Sequence, residues 1–312
     1  GVNHYYEWIS SQDNPGNYSR PVMVFLHGWA GSARYWETTA RAIQGEYDCL
    51  LYDMRGFGRS RPATPASLAA DPSLDTLESF ADDLLGLLDA LGLDKPVYMN
   101  AHSLGGSAGL YFLERYPERV EKAILTCNGS FPYQKVAFEL FYFFGGGVVA
   151  FRPKWLGKIP LVPQMFMSRF LKGSIPYSEK KAFLNDFLMA DGPTSMGTLK
   201  AAVSKHATEA MPAAFSSLKV PTLMISGEYD KITPAKLGKE AADMSDRIEY
   251  VLMPNTAHFP MLEDADNYLK IMKSFLVGAE LPASIYPLVL PTPCLFIIAF
   301  YFCATLSHPK RF

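Results

Sequence analysis

The chain has 312 residues, 49% of them apolar and 19% charged, enough to fill one large domain or two small ones and too apolar for general disorder. A formal charge of −2, with no arginine-rich run and no zinc-finger spacing, argues against nucleic acid as a partner. Cys49, Cys127, Cys294 and Cys303 stand far apart without CxxC spacing, so buried free thiols are expected rather than a disulfide framework. That usage favours a reducing, cytoplasmic setting, and the opening residues "GVNHYYEWIS" show no basic-then-apolar leader pattern.

In chain order, "VMVFLHG" (Val22 to Gly28), "CLLYDMRG" (Cys49 to Gly56), "VYMNAHS" (Val97 to Ser103) and "KAILTCNG" (Lys122 to Gly129) read as strands. "PTLMISGEYD" (Pro221 to Asp230) and "IEYVLMPN" (Ile248 to Asn255) continue the series. Their near-continuous apolarity is that of strands covered on both faces. Between the second and third lies a helix over Asp75 to Leu91, with Leu77, Phe80, Leu84, Leu87, Leu88 and Leu91 on one stripe. Asp75 and Glu78 have capping-box spacing, and Gly92 suits a left-handed stop. Strands alternating with helices predict an α/β fold with a doubly wound, mainly parallel sheet. Residues 131–218 lack that alternation, are rich in aromatics and Met, and read as a helical cap inserted between late strands. The expected division is a core domain of 1–130 and 219–278, a cap of 131–218, and an apolar tail of 279–312.

In "MNAHSLGG", Ser103 falls where a strand ends and a helix begins. A nucleophile there needs a tight turn, which Ala101 and Gly105 permit, and the helix aims its first N–H groups at the same point. "FLHGWAGS" follows an early strand, "SGEYD" puts Asp230 past a late strand, and "TAHFPML" puts His258 after the last. These loops lie at the carboxyl ends of parallel strands, where open α/β sheets bind ligands. His102 is expected to point away from the site, His27 to brace its loop, and His206 to lie on the surface or cap. Asp53 and Arg55, in "DMRGFGRS", are expected in a structural loop rather than a phosphate cradle.

The chain resembles the cap-bearing serine hydrolases of the α/β-hydrolase superfamily, in its esterase and lipase-like branch. The likeness runs from about Pro21 to Leu276 and rests on "HGWAGS", "DMRGFGRS", "AHSLGG", "GEYD" and "TAHFPMLE". One departure is Ala101, where Gly is commoner. Relatives with an aspartate nucleophile are set aside because the elbow carries Ser103. Those with the acid after the earlier strand are set aside because that loop carries Asn128. The resemblance implies catalysis by Ser103, Asp230 and His258 in an acyl-enzyme mechanism, with the Trp29 and Leu104 backbone N–H groups binding the oxyanion. It requires no metal and no organic cofactor. The implied substrate is a small, lipophilic carboxylic ester contacted by Trp29, Phe131 and Phe259. A ligand receptor with slow or no turnover, and cleavage of another acyl bond, stay open as alternatives.

The tail invites an anchor reading through Ile285 to Leu306, interrupted by Pro287, Pro291 and Pro293. Its proline-free part, Cys294 to Leu306, would reach about 20 Å as a helix, against a bilayer core of roughly 30 Å. A spanning helix is therefore not favoured. Membrane association through the tail or cap, packing against the cap, and a non-native extension stay open.

Overall fold

Six of the apolar runs become the parallel strands of one sheet in the computed structural model, which describes residues 3–60, 76–132 and 135–281. The elements up to the insertion are β1 (Tyr6–Ile9), β2 (Val22–Leu26), α1 (Glu37–Ile43), β3 (Asp48–Tyr52), α2 (Leu77–Ala90), β4 (Val97–His102), α3 (Leu104–Arg115) and β5 (Val120–Thr126). Five helices follow without a strand: α4 (Lys135–Ala150), α5 (Val162–Met167), α6 (Tyr177–Met189), α7 (Gly192–Ala202) and α8 (Lys205–Ser216). The chain then returns to β6 (Thr222–Gly227), α9 (Ala235–Ala242), β7 (Ile248–Met253), α10 (Pro260–Glu263) and α11 (Ala265–Val277).

The strand order is β1-β3-β2-β4-β5-β6-β7, with β1 antiparallel and the rest parallel. This is the mainly parallel α/β sheet with an inserted helical region. The continuous apolarity of the strands has a direct cause. Val22, Val24 and Leu26 face one core with α2 and α3, whereas Met23 and Phe25 face a second with α1 and α11. Both alternating sets are buried, so neither can be polar. The edge strand β1, "YEWI", is absent from the sequence reading because it is four residues long, half-exposed and not a continuous apolar run.

Helix α2 buries the expected stripe of Leu77, Phe80, Leu84, Leu87 and Leu88, and Gly92 follows it at φ +67°. Its cap differs from the expected box. Asp75 lies outside the described residues, and the Thr76 hydroxyl accepts the Ser79 N–H at 3.2 Å. Glu78, instead of folding back, pairs with exposed His206 on α8 at 2.7 Å. Helix α8 sits between β5 and β6 in sequence, yet Met211, Ala214 and Phe215 pack into the same core as α2 and α3. The apolar tail beyond residue 281 lies outside the described residues. Among those described, no helix is long and apolar enough to cross a membrane.

Candidate active site

The turn between β4 and α3 places Ser103 at φ +53° and ψ −120°, a conformation that few non-glycine residues adopt. Its N–H is held by the Thr126 carbonyl at 2.9 Å, and its carbonyl by the Asn128 amide at 3.1 Å. The turn brings α3 hard against β2. A Cβ on Gly105 would overlap the His27 carbonyl oxygen and lie 2.9 Å from the Leu26 carbonyl carbon. At Gly106 the nearest atom would be the Asn128 side chain, 3.1 Å away. Gly105 therefore makes the closest backbone approach in the elbow.

Past β6 and β7, two loops complete a line of side chains. His258 Nε2 lies 3.1 Å from Ser103 Oγ, and His258 Nδ1 lies 2.7 Å from Asp230 Oδ2. The other carboxylate oxygen of Asp230 accepts the Ile232 and Thr233 N–H groups at 2.8 and 3.0 Å. A carboxylate can only accept, so Nδ1 carries the imidazole proton and Nε2 offers its lone pair to the serine. Asp230 and His258 are buried, whereas Ser103 keeps partial access to solvent. The structure thus brings together three residues spread over 155 positions of sequence.

Trp29 and Leu104 flank this line from the β2 loop and the first position of α3. Among the described residues, neither backbone N–H donates in the turn and loop hydrogen bonds. The Trp29 side chain is committed elsewhere: its indole N–H donates to the Ser195 carbonyl on α7 at 2.9 Å, tying the loop to the inserted helices. Phe259 is buried, with its ring 4.7 Å from both His102 and Phe183. It follows His258 directly, with its ring centroid 5.4 Å from the imidazole's. Phe131 stands half-buried on the connection between β5 and α4.

A second hydrogen-bond chain, invisible in the sequence, supports the first. The Gly28 N–H donates to Tyr35 Oη at 2.5 Å, Tyr35 Oη lies 2.8 Å from His102 Nδ1, and His102 Nε2 lies 2.7 Å from the His258 carbonyl. The carbonyl accepts, so His102 carries its proton on Nε2, and Nδ1 accepts the Tyr35 O–H. Burial holds the His102 imidazole well below its usual range and the Tyr35 phenol well above its own, so both stay neutral. His102, with its ring centroid 4.8 Å from that of His258, links the loop of Trp29 to the loop of His258. The His258 N–H is fixed in turn by the Phe170 carbonyl, from the segment after α5, at 2.9 Å. Tyr35→Phe is expected to strand the Gly28 N–H and His102 Nδ1, lowering stability by about 1–3 kcal/mol in urea denaturation.

The remaining polar groups brace the same loops. His27 Nδ1 donates to the Gly28 carbonyl at 2.8 Å and its Nε2 accepts the Met54 N–H at 2.9 Å. Burial pushes the Asp53 carboxyl up, but hydrogen bonds from Arg59 and Ala33 outweigh it and hold the group below its ordinary value. Arg55 pairs with Asp83 at 2.7 Å, so this glycine-rich segment is structural. Ser32 donates to Asp186 on α6 at 2.8 Å and Arg34 to Glu179 at 2.8 Å, which holds the inserted helices over the loop. His102, Cys127 and His258 place potential metal-ligand atoms within 4.8 Å of one another. All four ring nitrogens are already in the hydrogen bonds above, and burial pushes the Cys127 thiol well above its ordinary range. The cluster is a hydrogen-bonded support, not a set of open ligands.

A family model described as the alpha/beta hydrolase fold matches residues 21–265. The chain belongs to this family. It is 28% identical over 260 residues to the "Putative carbamate hydrolase RutD" of Pseudomonas savastanoi, covering 82% of this chain and 93% of that protein. Similarity to the pimeloyl-[acyl-carrier protein] methyl ester esterase of Nitrosomonas europaea is 24% over 250 residues, with 80% and 93% covered. Among solved structures, the esterase of Exiguobacterium antarcticum superposes with a TM-score of 0.71 at 19% identity, covering 89% of this chain and 96% of that one. The enol-lactonase of Burkholderia xenovorans superposes at 0.69 and 20% identity, with 88% and 98% covered. At such identities the structural likeness carries the fold alone.

Proposed function

We propose that the chain is a serine hydrolase that cleaves a small, lipophilic carboxylic ester through an acyl-enzyme. The observation that carries this reading is the unbroken line Ser103–His258–Asp230, at 3.1 and 2.7 Å, with the imidazole proton fixed on the Asp230 side. His258 Nε2 takes the Ser103 proton as Oγ attacks the ester carbonyl, and Asp230 stabilises the imidazolium that results. The negative oxygen of the tetrahedral intermediate is received by the Trp29 and Leu104 N–H groups, helped by the positive end of the α3 dipole. His258 then gives its proton to the leaving alcohol. It next takes a proton from water as the water oxygen attacks the acyl-serine, and returns that proton to Ser103 Oγ as the acid leaves, restoring the resting pair.

Support for an ester comes from the names of relatives, a methyl ester esterase among them, and for a lipophilic one from the aromatic inserted helices. A carbamate presents a similar carbonyl, and one relative is named for it, so carbamates belong beside esters, thioesters and lactones in the test panel. A p-nitrophenyl ester series from acetate to decanoate is expected to show multiple turnover rising past acetate. One turnover per serine would favour a ligand receptor, and a preference for acetate alone would overturn the lipophilic substrate.

A further inference from the structure

The chemistry at Ser103 leaves unused a strip on the outside of the inserted helices. Residues 140–178 contain no Asp or Glu and five Lys or Arg, in a molecule whose net charge is −2. Within that stretch, Phe151, Leu161, Met165 and Trp155 stand 75%, 71%, 62% and 55% exposed. Lys154 and Lys158 are exposed between them. The backbone here is a 3-10 turn, Lys154–Lys158, followed by α5. The strip is anchored from beneath: Pro163 and Met167 are buried, and Phe166 packs on Phe170 and Phe187 with ring centroids 5.6 and 5.0 Å apart. Leu161 and Met165, four residues apart at the start of α5, point outward while its other face is filled.

We propose that this strip is a docking surface for an anionic lipid bilayer. Trp155, Phe151 and Leu161 would enter the boundary between headgroups and acyl chains, and Lys154 and Lys158 would meet the lipid phosphates. Charge decides among the candidate occupants. A second copy of the chain would set the same cationic strip against itself. Residues 282–312 contain no Asp or Glu side chain to answer the lysines. An anionic lipid surface supplies both the negative charge and the apolar depth. The proposal is independent of the Ser103 chemistry, because its readout is binding rather than turnover.

The test is flotation of the full chain with phosphatidylcholine vesicles and with 70:30 phosphatidylcholine–phosphatidylglycerol vesicles. Binding to the anionic vesicles alone is expected, weakening as salt is raised. The double variant Lys154→Glu/Lys158→Glu, and separately Trp155→Ser/Leu161→Ser, are each expected to weaken it by about tenfold or more. A far-UV circular dichroism spectrum and melting curve matching the parent serve as the check that the variants are folded. Absence of binding to the anionic vesicles would overturn the proposal, as would binding that both variants leave intact, which would assign it to another surface. A concentration-dependent dimer in gel filtration that both variants abolish would also overturn it, in favour of a second copy.

Discussion

Ser103→Ala is expected to lower kcat for p-nitrophenyl ester hydrolysis by about 10⁴-fold or more, with a melting curve close to that of the parent. The substitution removes the one atom that attacks, and nothing else on the line can replace it. His258 and Asp230 would still hold each other at 2.7 Å, but no hydroxyl would remain to receive the base. Residual hydrolysis would come from polarisation of a bound ester by the elbow's N–H groups. Folding should survive for a local reason. The backbone bond from Ser103 N to the Thr126 carbonyl is independent of the side chain, and alanine pays the same φ +53° that serine pays. A stability change beyond about 1 kcal/mol is not expected from losing a partly exposed hydroxyl. Turnover at the parent rate in the purified variant would remove Ser103 from the mechanism.

Gly105→Ala is expected to cost about 3 kcal/mol of stability and to lower kcat by about 10²-fold in whatever remains folded. The added methyl would meet backbone, the His27 carbonyl and the Leu26 carbonyl carbon, which cannot swing aside as a side-chain tip can. Relief requires α3 to lift from β2. That motion carries Ser103, at the helix start, away from the loop of Gly28 and Trp29. The same substitution at Gly86 is a control of opposite sign. Gly86 lies inside α2 with nothing within 4 Å of its would-be Cβ, so Gly86→Ala should stabilise by about 0.5–1 kcal/mol. Urea denaturation of the three proteins compares them directly. Equal effects at the two glycines would show that helix propensity, not the close approach of α3, controls the elbow.

Much of this molecule is legible without coordinates because its signals are local. Strands covered on both faces must be apolar at every position, so "VMVFL" and "AILTC" announce themselves. The elbow needs small residues beside the serine, and the order of Ser103, Asp230 and His258 follows from the loops at the strand ends. The unread elements lack such signals. β1 is a short edge whose outward residues meet water, so its pattern is mixed. The α2 cap falls on Thr76 because an extended backbone there lets its hydroxyl reach back to the Ser79 N–H, a choice between adjacent cap-forming residues that spacing does not decide.

By itself the sequence determines the α/β class, the inserted helical stretch, and a serine at a strand–helix turn with an acid and a histidine downstream. Only the tertiary structure decides that Gly105, rather than its neighbour, carries the close approach, because that depends on which backbone lies opposite. Only it buries Phe259 and draws α8 into the main core. It also decides that Gly28, Tyr35, His102 and His258 form one chain of hydrogen bonds. Each of those groups is buried and must find a partner, yet the partners arrive from separate strands and loops. The demand for a partner is written in each residue's chemistry, and its identity is settled only where the chain folds.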